Sequence, residues 1–248
     1  MSERDPKRHV QRAKNIAAGF ALSHVIKSEG HMNESIELLK KRLRELGEKR
    51  TPVHFNEWFN YLAFDIVGEV LFSAPFGFLE SGMDIGGSIA NSRVLTFYIT
   101  LAGFFQRIHR ATLGNPLVSD LKLMPTQHIF DTSLRAIETR LKNPDARKDM
   151  LAIWMKQLAE NPDKMEEREL FGCVNMTVGA GADTVSASLQ AFFYNMIRKP
   201  EYINRLRLEI AAAGLSDSVI SYTDASKLVF LQACVSSAAS TNIADTMD

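Results

Sequence analysis

The sequence predicts a mostly α protein with little or no sheet, and three observations lead there. Apolar residues recur at spacings of three and four along most of the 248-residue chain. Prolines number only 8, and the period-two alternation of β-branched residues that marks strands is hard to find. A long stretch, Phe171 to Ile197, holds 27 residues with a single charge, Asp183. Apolar residues make up 46% and charged residues 23%, ordinary globular usage that excludes a collagen-like, low-complexity or wholly disordered chain. No internal repeat or linker-like composition appears, so one contiguous helical body is expected.

The elements follow in order. From Ser23 to Leu46 the apolar positions Val25, Ile26, Met32, Ile36, Leu39, Leu43 and Leu46 trace one helical face, and Gly47 is a natural stop. Residues 1–50 carry 12 Lys/Arg against 7 Asp/Glu, a bias that a solvated helical face explains, with an anion site as the alternative. A second helix is expected from Phe55 to Leu71, after Pro52 and before Pro75. The Gly-rich segment from Gly77 to Ser88 lacks both GxGxxG and Walker spacing and reads as a loop. Val94 to Phe105 is uncharged, and its 12 residues fall short of the ~20 that span a bilayer. A buried helix is the stronger reading there and a membrane-facing patch the other. Further helices are expected at Thr126–Leu141 and Asp149–Glu160.

The most informative segment is Glu166 to Arg198, expected as the longest and most buried helix. A charge in mid-span and several Gly, Asn, Gln and Ser/Thr residues argue against a transmembrane helix. Its middle reads VGAGADTVSAS. The glycines let something flat approach the backbone, and Thr184 has the reach to bond back to the carbonyl four residues earlier and bend or open the helix. Small residues beside an acid and a hydroxyl describe either a reaction surface or a helix–helix contact, and both readings stand at this point.

AGADT, Ala180 to Thr184, matches the (A/G)Gx(D/E)T oxygen-activation signature, and here the chain resembles the cytochrome P450 monooxygenases. MIRKPEYINRLRLEI (Met196 to Ile210) resembles the family's next helix, and YTDASKLVFLQACV (Tyr222 to Val235) the approach to its ExxR helix. HVQRAKNIAAGFALSHVIKSE resembles the helix that holds the haem propionates, with Phe20 at the usual aromatic position. The resemblance covers residues 1–235, looks nearest to the fungal pisatin-demethylase-like branch, and implies the central helical part of the P450 fold. It implies haem as cofactor, NADPH–cytochrome P450 reductase as electron donor and a small apolar organic substrate. It casts Asp183 and Thr184 as the catalytic proton relay, and Ala180 and Gly181 as the residues that leave room for haem and O₂. His9 falls at a propionate-facing position. Ala13 stands where the partner Arg is usual, so Arg12 and Lys14 are the candidate substitutes.

The departures are as specific. The glutamate and arginine positions of ExxR are Ser237 and Ser240, residues 236–248 read as a divergent, disordered tail, and the loop FxxGxxxCxG that carries the haem-ligand cysteine has no counterpart. Cys173 and Cys234 lie in other contexts, and the six histidines show no HExxH spacing, so no independent metal site is expected. Two readings follow for function: a fragment of a monooxygenase, or a non-catalytic truncated product or splice form, with a helical partner-binding protein as the remaining alternative. Net charge is zero, which gives no warrant for nucleic acid as partner. The charged N-terminus is unlike a secretory signal, so the chain is expected to be cytoplasmic as written. The family's usual anchor to the cytosolic face of the endoplasmic reticulum has no counterpart in this sequence.

Overall fold

The computed structural model describes residues 5–102, 104–121, 127–143, 147–215 and 219–240, and within them there is no strand. Helices follow one another in the order α1 (Pro6–Ala17), α2 (Leu22–Val25), α3 (Glu29–Glu48), α4 (Phe55–Phe72), α5 (Phe78–Ser81), α6 (Ser88–Ala102) and α7 (Gln106–Ala111). Then come α8 (Pro116–Asp120), α9 (Gln127–Lys142), α10 (Met150–Glu160), α11 (Glu167–Arg198), α12 (Pro200–Ala212), α13 (Tyr222–Ala225) and α14 (Val229–Ser240). The helix expected from Ser23 starts instead at Glu29, after a short 3₁₀ turn at Ile26–Ser28. The boundaries of α4, α10 and α11 follow the expected ones closely. Asp149 caps α10 by accepting from the Ala152 N–H at 2.9 Å, and Glu166 with Glu169 forms a capping box at the head of α11.

The core is organised around the pair α4 and α11, which pack on each other more extensively than any other two elements. In α11 the buried residues Leu170, Val174, Val178, Ala182 and Ser186 fall every four positions, a narrow stripe down one side. In α4 burial goes nearly all round and includes Phe59, Phe64, Leu71 and Phe72. So α11 is the longest helix, at 32 residues, but α4 is the more buried one. The reason is sidedness: α11 meets α4, α9, α10, α12 and α14, yet Met176, Val185, Phe193 and Tyr194 remain exposed.

Two contacts fix the flanks. Trp154 on α10 is fully buried and donates its indole N–H to the Ile16 carbonyl at 3.0 Å, with Phe20 against its ring at 5.7 Å between centroids. Asp65 on α4 is buried and accepts the backbone N–H groups of Gly77 (2.9 Å), Phe78 (3.2 Å) and Leu79 (2.9 Å), holding α5 and the turn before it. That turn runs through Gly77 at φ +90°, a left-handed conformation that a side chain would strain.

The stretch 94–105 is not buried, against the stronger expectation. Val94, Phe97, Ile99 and Leu101 on α6 are each about half exposed or more, and Phe104 and Phe105 beyond it are exposed as well. Helix α6 touches the body mainly through its first turn, where Ser88 and Ile89 are buried, so the apolar residues further along point outward. Among the described residues no helix is long and apolar enough to cross a membrane. At the other end α14 is helical through Ser240, so residues 236–240 continue a helix, while the rest of the expected tail, 241–248, lies outside the described residues.

Candidate functional site

A cavity of about 710 Å³ runs along the side of α11 that α4 does not cover, with α1 and Phe20 opposite. Cavities of roughly 300–1,000 Å³ are the usual size for small-molecule and cofactor sites. From α11 it is lined by Gly172, Cys173, Met176, Thr177, Ala180, Gly181 and Thr184, which recur at helical spacing down one face. Across it stand Arg12, Asn15 and Ile16 of α1. The lining is mostly apolar, with two cations, Arg12 and Arg168, and one carboxylate, Glu169, a composition suited to a flat apolar ligand with polar edge groups.

Arg12 is held in place. Its guanidinium meets Glu169 at 2.7 Å, and Asn15 is anchored by donating to the Lys164 carbonyl at 2.7 Å. The other two basic residues singled out on this helix, His9 and Lys14, are exposed and do not line the cavity. Helix periodicity turns Lys14 off the face that Arg12, Asn15 and Ile16 share, whereas His9 falls on that face but one turn nearer the start of α1, short of the cavity lining. Arg168, which motif reasoning passed over, lines the rim because it precedes Gly172 by one helical turn.

The AGADT residues divide. Ala180, Gly181 and Thr184 face the cavity; Asp183 does not line it. Successive helical residues are about 100° apart, so the Asp183 side chain leaves α11 about a quarter-turn away from the Thr184 hydroxyl. Asp183 instead faces α6, near Arg93 and Ser92, and partial burial pushes its carboxyl above the usual range while the Arg93 charge and the Ser92 hydroxyl pull it back. The Thr184 hydroxyl donates to the Ala180 carbonyl at 2.8 Å and lies 3.2 Å from that of Gly181. The back-bond expected of it is therefore made, but the helix is not opened: α11 is unbroken from Glu167 to Arg198.

Gly181 serves both readings of the small-residue motif. It lines the cavity, and a Cβ built on it would stand 3.3 Å from Val67 Cγ2 of α4. A side chain there would press on the α4–α11 contact as well as on the cavity. Cys173 lies on the cavity wall, two turns before Ala180, and burial pushes its thiol up, with Glu169 adding to the effect. Among the described residues no three His, Cys, Asp or Glu side chains converge to hold a metal ion.

A sequence profile of the cytochrome P450 family matches residues 2–236. The cytochrome P450 monooxygenase ACRTS1 of Alternaria alternata is 28% identical, with 90% of this chain and 62% of that protein covered. The cytochrome P450 monooxygenase gsfF of Penicillium aethiopicum is 26% identical over 94% of this chain and 49% of its own length. Quiannulatic acid synthase of Emericella variicolor is 26% identical over 94% of this chain and 50% of its own length. The chain thus spans about half to three-fifths of the length of these curated relatives.

Proposed function

This chain belongs to the cytochrome P450 family, and on that premise we propose that it provides the distal wall of a haem monooxygenase that hydroxylates or demethylates a small apolar organic molecule in fungal secondary metabolism, drawing electrons from NADPH–cytochrome P450 reductase. The observation that carries the reading is the cavity along α11, where the motif residues Ala180, Gly181 and Thr184 sit opposite a paired arginine.

The residues present fit haem. Ala180, Gly181 and Gly172 offer a wall without bulky side chains, Phe20, Ile16 and Met176 supply apolar contact, and Arg12 and Arg168 are cations that would exchange Glu169 and Glu166 for the ligand's carboxylate groups. When bound, haem supplies the O₂ chemistry that no side chain can perform. The protein contributes position and protons. Thr184 holds a hydroxyl at the cavity wall, its own proton directed to the Ala180 carbonyl and its lone pairs free to accept another. Asp183, on the adjoining face beside α6, has a carboxyl poised above the ordinary range and is placed to load protons from the solvent side. Protons then reach the cavity by way of water and the Thr184 hydroxyl, not by direct contact between the two side chains. Apolar residues exclude bulk water from the rest of the wall.

Haemin titration of the 248-residue protein tests this reading through Trp154, whose ring packs on the cavity residue Phe20. In a Trp58→Phe background, which leaves Trp154 as the single tryptophan, saturable quenching of its fluorescence is expected, weakened about tenfold by Arg12→Gln through loss of a charge-assisted contact and abolished by Gly181→Leu. Quenching that is non-saturable, or equal in Gly181→Leu, would reject the cavity as the haem site.

A further inference from the structure

A second cavity, sharing no residue with the first, lies where α9 passes the end of α4 and the approach to α10. We propose that it binds a phosphate dianion, free or as a small monoester. Its volume is about 370 Å³. One face of α9 and the residue just beyond its end line it: Thr132, Arg135, Ala136, Thr139, Arg140 and Asn143 fall at i, i+3, i+4, i+7, i+8 and i+11. Ala136 in the middle of that face keeps it concave, and Arg147 closes the far side. Beside the apolar Phe72, Ala74 and Ala136, the described lining contains three arginines, two threonine hydroxyls and an amide, and no carboxylate.

One of the three charges is already met. Arg140 is buried and bonds both oxygens of Asp149, and Asp149 also accepts from the Ser73 hydroxyl (2.9 Å) and the Ala152 N–H (2.9 Å). That carboxylate is fully engaged and cannot also neutralise the cavity. Arg140 in turn donates to the Arg147 carbonyl at 3.1 Å, which fixes the backbone from which the Arg147 side chain springs. Arg135 donates one N–H to Thr132 Oγ1 at 3.1 Å, leaving most of its five donors for a ligand. Among the described residues neither Arg135 nor Arg147 has a carboxylate within ion-pair distance. The buried Glu69 feels the Arg147 charge but does not line the cavity. Two guanidinium groups that no described carboxylate meets, flanking hydroxyl and amide donors, match a doubly charged tetrahedral oxyanion, whose oxygens take several N–H and O–H donors at once.

Isothermal titration of the 248-residue protein with inorganic phosphate, and separately with glycerol 3-phosphate, tests the site against sodium chloride at matched ionic strength. Single-site saturable binding is expected, weakened about tenfold by Arg135→Gln and again by Arg147→Gln, each the loss of one charge-assisted contact. Thr139→Val should weaken it a few-fold without any change of charge. Tighter binding of glycerol 3-phosphate identifies a monoester ligand, and the reverse order a free ion. Phosphate should also slow phenylglyoxal labelling of Arg135 and Arg147, but not of Arg93, in the unsubstituted protein. No saturable heat, affinity unchanged in the Arg135→Gln/Arg147→Gln double variant, or labelling of both arginines unaffected by phosphate overturns the proposal.

Discussion

Thr184 and Asp183 show how far a five-residue motif reaches. Their chemistry is local, so AGADT was readable without a structure; the direction each side chain takes is set by α11 and by what packs beside it. In the full-length monooxygenase proposed above, loaded with haem and supplied with a reductase, Thr184→Ala should keep consuming O₂ while product per O₂ falls ~10-fold or more, and Thr184→Ser should recover most of it. Equal coupling in Thr184→Ala, measured as product against peroxide, would remove Thr184 from the relay. Asp183 is governed from α6. Removing the nearby cation in Arg93→Gln should raise the Asp183 pKa further, because that charge lowers it now; carboxyl-carbon NMR reads the direction. Asp65 gives the opposite lesson. In FNYLAFDIVGEV it looks like one more polar residue on an amphipathic helix, yet its three backbone donors come from residues 77–79, across a turn. Asp65→Ala should cost about 2–4 kcal/mol in urea unfolding, since buried N–H groups would lose their acceptors.

At the scale of elements, the glycines separate packing from propensity. A Cβ on Gly68 would stand 2.5 Å from the Ala74 carbonyl oxygen, a backbone atom that cannot swing aside, and one on Gly19 would stand 2.5 Å from Trp154 Nε1. Gly68→Ala and Gly19→Ala should each destabilise the fold by about 1–3 kcal/mol through overpacking. Gly30, inside α3, meets nothing within 4 Å, so Gly30→Ala should stabilise by roughly 0.5–1 kcal/mol from helix propensity alone. Thermal unfolding of the three variants checks the sign of each. The existence of α3, α4, α9, α10 and α11 was legible in the spacing of their apolar residues, because that spacing encodes a face. Which helix lies deepest was not. A low-charge helix such as α11 and a densely aromatic one such as α4 both read as buried, and only their neighbours decide that α4 is wrapped while α11 presents a cavity wall.

Over the whole molecule the same ambiguity governs α6 and the segment after it. An uncharged run is compatible with a core helix and with an exposed apolar surface, and Val94, Phe97, Ile99, Phe104 and Phe105 prove exposed. Patches of this kind bind apolar dyes and promote association. Phe97→Ser with Phe104→Ser should lower the fluorescence of bound anilinonaphthalene sulfonate while shifting unfolding free energy by no more than about 0.5 kcal/mol. A large loss of stability would show these rings to be core after all. Sequence by itself determined the helical class, most helix positions and the family, and it singled out the AGADT motif, because periodicity and motif are properties of neighbours along the chain. Tertiary structure decided the partner of Arg12, the turning of Asp183 toward α6, the burial of Asp65 and the gathering of Arg135, Arg140 and Arg147 around one cavity. Each of these joins residues on different elements or different faces, and their energies depend on distances that only packing sets.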